Sequence, residues 1–93
     1  MPPVNAGVLQ VEYTTLDVTS LTNANNEPWV PEDNTGLSDV DAVSVVGHDK
    51  AATYTAQYDH SQQAFVFATI SDGSDPTADT DVGELRIRVE GRR

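Results

Sequence analysis

Three clusters in the sequence hold residue types capable of chemistry. His48-Asp49 and Asp59-His60-Ser61 place imidazole, carboxylate and hydroxyl side by side, and Asp72, Asp75, Asp79 and Asp81 crowd one segment. A nucleophilic triad needs serine, histidine and aspartate converging from separate elements on one pocket. Neighbours in a single turn do not supply that geometry, so both histidine clusters read as solvated turn residues. The aspartate run has the look of a calcium loop, but the helix-loop-helix template fails. Counted from Asp72, the sixth residue is Thr77 instead of glycine and the twelfth is Gly83 instead of glutamate. The acidic segment therefore reads as a solvated loop, with no cofactor and no metal assigned.

The cations are more informative. Lys50 is the only lysine, and Arg86, Arg88, Arg92 and Arg93 all fall in the last eight residues. Residues 1–85 carry a net charge of −13 within a chain total of −10. The arginines either neutralise the protein's own acidic surface, for example at Glu84 and Glu90, or anchor an acidic partner. The guanidinium fork suits carboxylates in either role. The acidic body opposes binding to nucleic acid or to an anionic membrane. Ten aspartates against one lysine also suit a high-salt setting, where charge repulsion is screened over a few ångströms.

The elements that must position these groups are strands. Of the 93 residues, 24 are β-branched, and no useful stretch has an apolar period of 3.6. Residues 8–13 alternate with Leu9, Val11 and Tyr13 on one face. In residues 16–21 Leu16 and Val18 fall on the other parity, which predicts a bulge near Thr14-Thr15. Residues 22–36, rich in Asn and Pro, read as a long loop pinned to the core by Trp29, the only tryptophan. Ser38 or Asp39 is placed to cap a short helical turn over 36–40. Residues 40–46 are apolar on both faces and predict a central strand. Residues 53–58 and 64–70 predict a β-hairpin, 71–83 a second long loop, and 84–90 a strand with Leu85, Ile87 and Val89 inward and Arg86 and Arg88 outward.

The expected fold is all-β, a small antiparallel sandwich or barrel of about six to eight strands with long end loops. It divides into an N-terminal arm over 1–7, a single β domain over 8–90 and a basic tail over 91–93. The start of the chain has neither the basic nor the apolar stretch of a signal peptide, and no apolar run is long enough to span a bilayer. Leu, Ile, Val and Phe make up 21 of the 93 residues, so the core is small.

Residues 36–92 present a pattern that resembles small virion structural proteins encoded near the capsid genes of tailed viruses of bacteria and archaea. The pattern runs through Gly36-Leu37-Ser38-Asp39-Val40, Val43-Ser44-Val45-Val46 and Ala56-Gln57-Tyr58-Asp59. It continues in Ala64-Phe65-Val66-Phe67, Thr80-Asp81 and Leu85-Arg86-Ile87-Arg88-Val89-Glu90-Gly91-Arg92. Where the pattern calls for a glycine pair upstream, this chain has Asp33-Asn34-Thr35-Gly36. The resemblance implies a non-enzymatic capsid decoration (cement) protein on the outer head surface. Its expected partners are the major capsid protein and other copies of itself, with a trimer as one arrangement, and neither nucleic acid nor membrane. The expected contact residues are Pro2, Pro3 and Val4 in the arm and Arg86, Arg88, Arg92 and Arg93 at the other end. The alternatives are another virion position (tail, connector or fibre base) or an immunoglobulin-like or carbohydrate-binding module. An exposed cluster of Trp29 with Tyr13, Tyr54 or Tyr58 would favour a sugar platform of the latter kind.

Overall fold

The computed structural model describes residues 8–93. The arm expected over 1–7, with Pro2, Pro3 and Val4, lies outside the described residues. Six strands and one helical turn follow in the order β1 (Gln10–Val18), β2 (Asn26–Pro28), α1 (Pro31–Asn34), β3 (Asp39–His48), β4 (Tyr54–Asp59), β5 (Ala64–Thr69) and β6 (Gly83–Arg92). They form two antiparallel three-stranded sheets, ordered β1-β6-β3 and β2-β5-β4. The small all-β sandwich expected from the composition is the fold observed.

The two central strands supply the core. Leu85, Ile87 and Val89 of β6 and Phe65 and Phe67 of β5 are fully buried, together with Leu21, Leu37 and Val82 from the connections. Each large buried side chain stabilises the fold by about 1.5–3 kcal/mol. Trp29 is only 7% exposed. It packs on Phe65 at 5.3 Å and edge-on to Tyr58 at 6.2 Å, and its carbonyl accepts a bond from the Tyr58 hydroxyl at 2.7 Å. Trp29 therefore pins its loop as expected. Burial, and secondarily the charges of Glu32 and Asp59, raise the Tyr58 pKa and keep the phenol a donor.

The β4–β5 hairpin closes through Asp59, whose Oδ1 accepts from the Ser61 amide at 2.9 Å and its hydroxyl at 2.7 Å. Gln63 completes the turn with a positive φ of 51°.

Four expectations need correction. No bulge interrupts β1: its register with β6 runs unbroken from Gln10↔Gly91 to Val18↔Gly83. The ladder holds the strand in one phase, so Leu16 and Val18 turn inward and Val11 and Tyr13 are left outside. Second, β3 is an edge strand and β6 the central one. The irregularities lie in β3, between Val40 and Ala42 and between Val45 and Gly47. Val46, one of the extra residues, is 55% exposed, which explains apolar residues on both faces of a strand that is not central. Third, the helical turn is at Pro31–Asn34 instead of 36–40. Pro31 sits at its first position, where the missing N–H costs nothing, while Ser38 donates its amide to the Arg92 carbonyl at 2.8 Å. Fourth, Gly91-Arg92-Arg93 is no tail. β6 continues to Arg92, and Gly91 is so closely crossed that a Cβ there would lie 2.3 Å from the Asp39 carbonyl oxygen.

Candidate binding surface

The clusters singled out in the sequence are occupied with holding turns. The Nε2 atom of His48 lies 2.6 Å from the Val82 carbonyl, and Asp49 accepts from the Glu84 amide at 2.7 Å. Asp59 is taken up by Ser61 and Gln62, and His60 stacks edge-on to Tyr58 at 5.0 Å. In the acidic loop Asp72 accepts from the Ser74 amide, Asp79 from the Ser20 hydroxyl and Asp81 from the Gly83 amide. Among the described residues no three His, Cys, Asp or Glu side chains converge to hold a metal ion. Hydrogen bonding lowers the pKa of Asp59, chiefly through the Ser61 hydroxyl, and that of Asp72, chiefly through the Ser74 amide.

Three of the four C-terminal arginines pair with the protein's own carboxylates. Arg88 contacts Glu90, Arg92 meets Asp41 at 2.5 Å, and Arg93 lies 3.7 Å from Glu12. Arg93 also donates to Gln10 and to the Gly36 carbonyl, tying the start of β1 to the connection before β3. Hydrogen bonding to Glu90, and less strongly to Tyr13, pushes the Arg88 pKa higher still. Arg86 has no carboxylate within 4 Å among the described residues. It lies across Gly47, where a Cβ would come 3.1 Å from its Cδ.

These arginines and β1 share one surface. The register sets Tyr13 beside Arg88 and Ser44, Thr15 beside Arg86 and Gly47, and Val11 beside Glu90 and Ala42. The outer face of the β1-β6-β3 sheet thus carries Arg86 and Arg88 between the carboxylates of Glu84 and Glu90, with Val11 and Tyr13 exposed beside them. Tyr13 is 70% exposed and Leu9 is 51% exposed.

The backbone of β1 is equally open. Glu84 of β6 receives the Asp49 amide and gives its own amide to the Asp49 side chain, while Arg92 accepts from Ser38. The even-numbered residues of β6 therefore turn their main-chain groups toward β3, and the odd-numbered ones turn toward β1. Antiparallel pairing then bonds Gln10, Glu12, Thr14 and Leu16 to β6. Val11, Tyr13, Thr15 and Asp17 aim their N–H and C=O groups away from the sheet. Among the described residues nothing pairs with that side of β1.

The other three sheet edges are protected in ways edges commonly are. β2 is three residues long and ends in Pro28. β3 is bulged twice, and β3 and β4 approach each other, lining a groove with Val43, Val45, Ala56 and Tyr58. β1 has nine residues and no lysine, proline or bulge. Sequence reading reached the arginines but missed this edge. The available signal was the parity conflict between Val11-Tyr13 and Leu16-Val18, which in an unbroken strand means an apolar outer face.

The exposed Trp29–tyrosine cluster that would favour a carbohydrate-binding module is not formed among the described residues. Trp29 is buried, and Tyr13 lies on the opposite sheet from Tyr54 and Tyr58. A shallow depression of about 440 Å³ on the second sheet is lined by Thr55, Gln57, Asp59, His60, Val66 and Ala68. Its one carboxylate is the one already bound to Ser61. Comparison with protein-family models, curated proteins and solved structures finds no match to this chain.

Proposed function

We propose that the chain is a non-enzymatic capsid decoration protein on the outer head surface of a tailed virus of a halophilic host. Its action is binding: it braces the shell by holding the major capsid protein and neighbouring copies of itself. The observation that carries this reading is the edge of β1, unpaired among the described residues, beside a sheet face that exposes Val11 and Tyr13. An edge of this kind is a template for another chain, and a small core leaves such a domain dependent on its contacts. The resemblance over residues 36–92 supports the particle as the setting. The acidic surface suits an exterior position, away from packaged DNA. The arginines contribute unequally. Among the described residues Arg86 has no carboxylate partner and is placed to meet one from outside, whereas Arg88, Arg92 and Arg93 pair within the domain.

The test is to sequence the neighbouring genes for a major capsid protein and, with shells assembled from it, to add the purified protein; absence of a capsid gene in that neighbourhood would count against the reading. Saturable binding at fixed sites on the outer surface, seen by cosedimentation and cryo-electron microscopy, is expected, together with a higher melting temperature of the shell. Absence of binding in both low and molar salt would remove the reading.

A further inference from the structure

The geometry points to Asp72-Gly73 as a site of self-modification, where the aspartate converts to isoaspartate through a cyclic imide whenever the turn over 69–74 opens. The inference is independent of the reading above and is tested on the purified chain alone.

Of the ten aspartates and five asparagines in the chain, Asp72 is the only one followed by glycine. A glycine has no side chain to obstruct its own nitrogen, so that nitrogen can reach the γ-carbon of the residue before it. In the first step the Gly73 nitrogen forms a bond to Cγ of the neutral Asp72 acid. The amide proton and the acid hydroxyl leave together as water, which closes a five-membered imide. Water then adds to one of the two imide carbonyls. Addition at Cγ restores aspartate. Addition at the α-carbonyl yields isoaspartate, in which the main chain runs through the side-chain carbon. The water lost in the first step is regained in the second, so the product is an isomer and solvent is the only co-reactant.

The closed turn holds both reacting groups. Gly73 donates its amide to the Thr69 carbonyl at 2.8 Å, and the Thr69 amide donates to the Ser74 carbonyl at 2.8 Å. Asp72 Oδ1 accepts from the Ser74 amide at 3.0 Å. That bond lowers the Asp72 pKa, which depletes the neutral acid at neutral pH. Packing adds little to these bonds. Residues 70–74 are all exposed, Gly73 has a φ of 71°, and a Cβ there would meet nothing within 4 Å. A turn held by exposed hydrogen bonds opens without unfolding the core. Further along, the chain is fastened again where the buried Pro76 accepts from the Asn25 amide at 2.8 Å. Conversion therefore places one extra main-chain carbon between two fixed points. It breaks the Thr69–Ser74 closure and leaves the core in place.

The test is to hold the full chain in heavy-oxygen water at neutral pH, folded or in urea, and to map label and isoaspartate by mass spectrometry. Label should enter at residue 72 ahead of every other aspartate, at least about tenfold more slowly in the folded chain than in urea. Tyr58→Phe, which weakens the core far from the turn, separates the two possible gates. A local gate leaves its rate within about twofold of wild type, whereas global unfolding would raise it by roughly fivefold. Gly73→Ala should suppress labelling in urea, where the turn plays no part. Any of four results would overturn the inference: no label in the folded chain, equal rates folded and unfolded, earlier labelling at another aspartate, or the full acceleration in Tyr58→Phe.

Discussion

The two sheets share a core but differ in what they do with their outer surfaces and edges. The β2-β5-β4 sheet spends its aromatic residues inward: Phe65, Phe67, Trp29 and Tyr58 pack together, and the hairpin is closed by Asp59. The β1-β6-β3 sheet packs with aliphatic residues of β6 and leaves Tyr13, Val11 and Arg86 outside. Apolar side chains left in water beside an unpaired ladder contribute nothing to the isolated domain. Both sheets feed the core, the first with aromatic and the second with aliphatic side chains, but only the second leaves an edge strand unpaired beside exposed apolar groups among the described residues.

That contrast can be broken by substitutions on either side. Phe65→Ala should have the largest effect, destabilising by about 3–5 kcal/mol in urea unfolding, because the ring is fully buried among Trp29 and Tyr58. A loss under 1 kcal/mol would mean that the aromatic cluster is not the stabilising centre. Gly91→Ala should cost about 1–3 kcal/mol, since the new methyl meets the Asp39 backbone. This loss should fall on the β3–β6 pairing, read as faster hydrogen exchange of the Ser38 amide.

Tyr58→Phe should cost about 1 kcal/mol for the lost bond to the Trp29 carbonyl, measured by thermal melting. Tyr13→Ala should change the stability of the monomer by under about 0.5 kcal/mol. A larger loss would show that the exposed ring serves the fold and would erase the distinction between the sheets.

The smallest effect concerns acid. Hydrogen bonds lower the native pKa of Asp59 below its ordinary value, so its contribution is complete above the unfolded carboxylate pKa. That contribution disappears as pH falls through the lower native value. Asp59→Asn should therefore flatten the acid limb of the stability curve below about pH 4. An unchanged acid limb would show that this turn is not coupled to unfolding.

Legibility in the sequence followed burial. β6 was readable because Leu85, Ile87 and Val89 alternate with charges, and a strand buried on one face writes that period into its residues. The hairpin was readable for the same reason, with Asp59 to Gln63 marking the turn. β1 misled because its outer face is apolar as well, so that a continuous strand looked like two strands out of phase. The residues of β3 suggested a central position because two bulges put Asp41 and Val46 where a regular strand would have neither. The short β2 gave no signal, having only three residues and taking its place from β5.

The arginines illustrate the same divide at the level of the site. Their clustering was visible in the sequence, and with it the prospect of an anchor or of self-neutralisation. Which carboxylate each one meets depends on partners far along the chain, Asp41 for Arg92 and Glu12 for Arg93, and spacing carries no record of that.

Composition and period alone determined an acidic all-β domain with a small core, a tryptophan-pinned loop and inward-facing residues on its last strand. These follow from local stereochemistry and from the need to remove alternate side chains from water. Only the tertiary structure decided which strand is central and, among the described residues, which edge stays open and which arginine lacks a carboxylate partner. Those outcomes are set by long-range pairing, where the ladder of a neighbouring strand overrides the preference of any single residue.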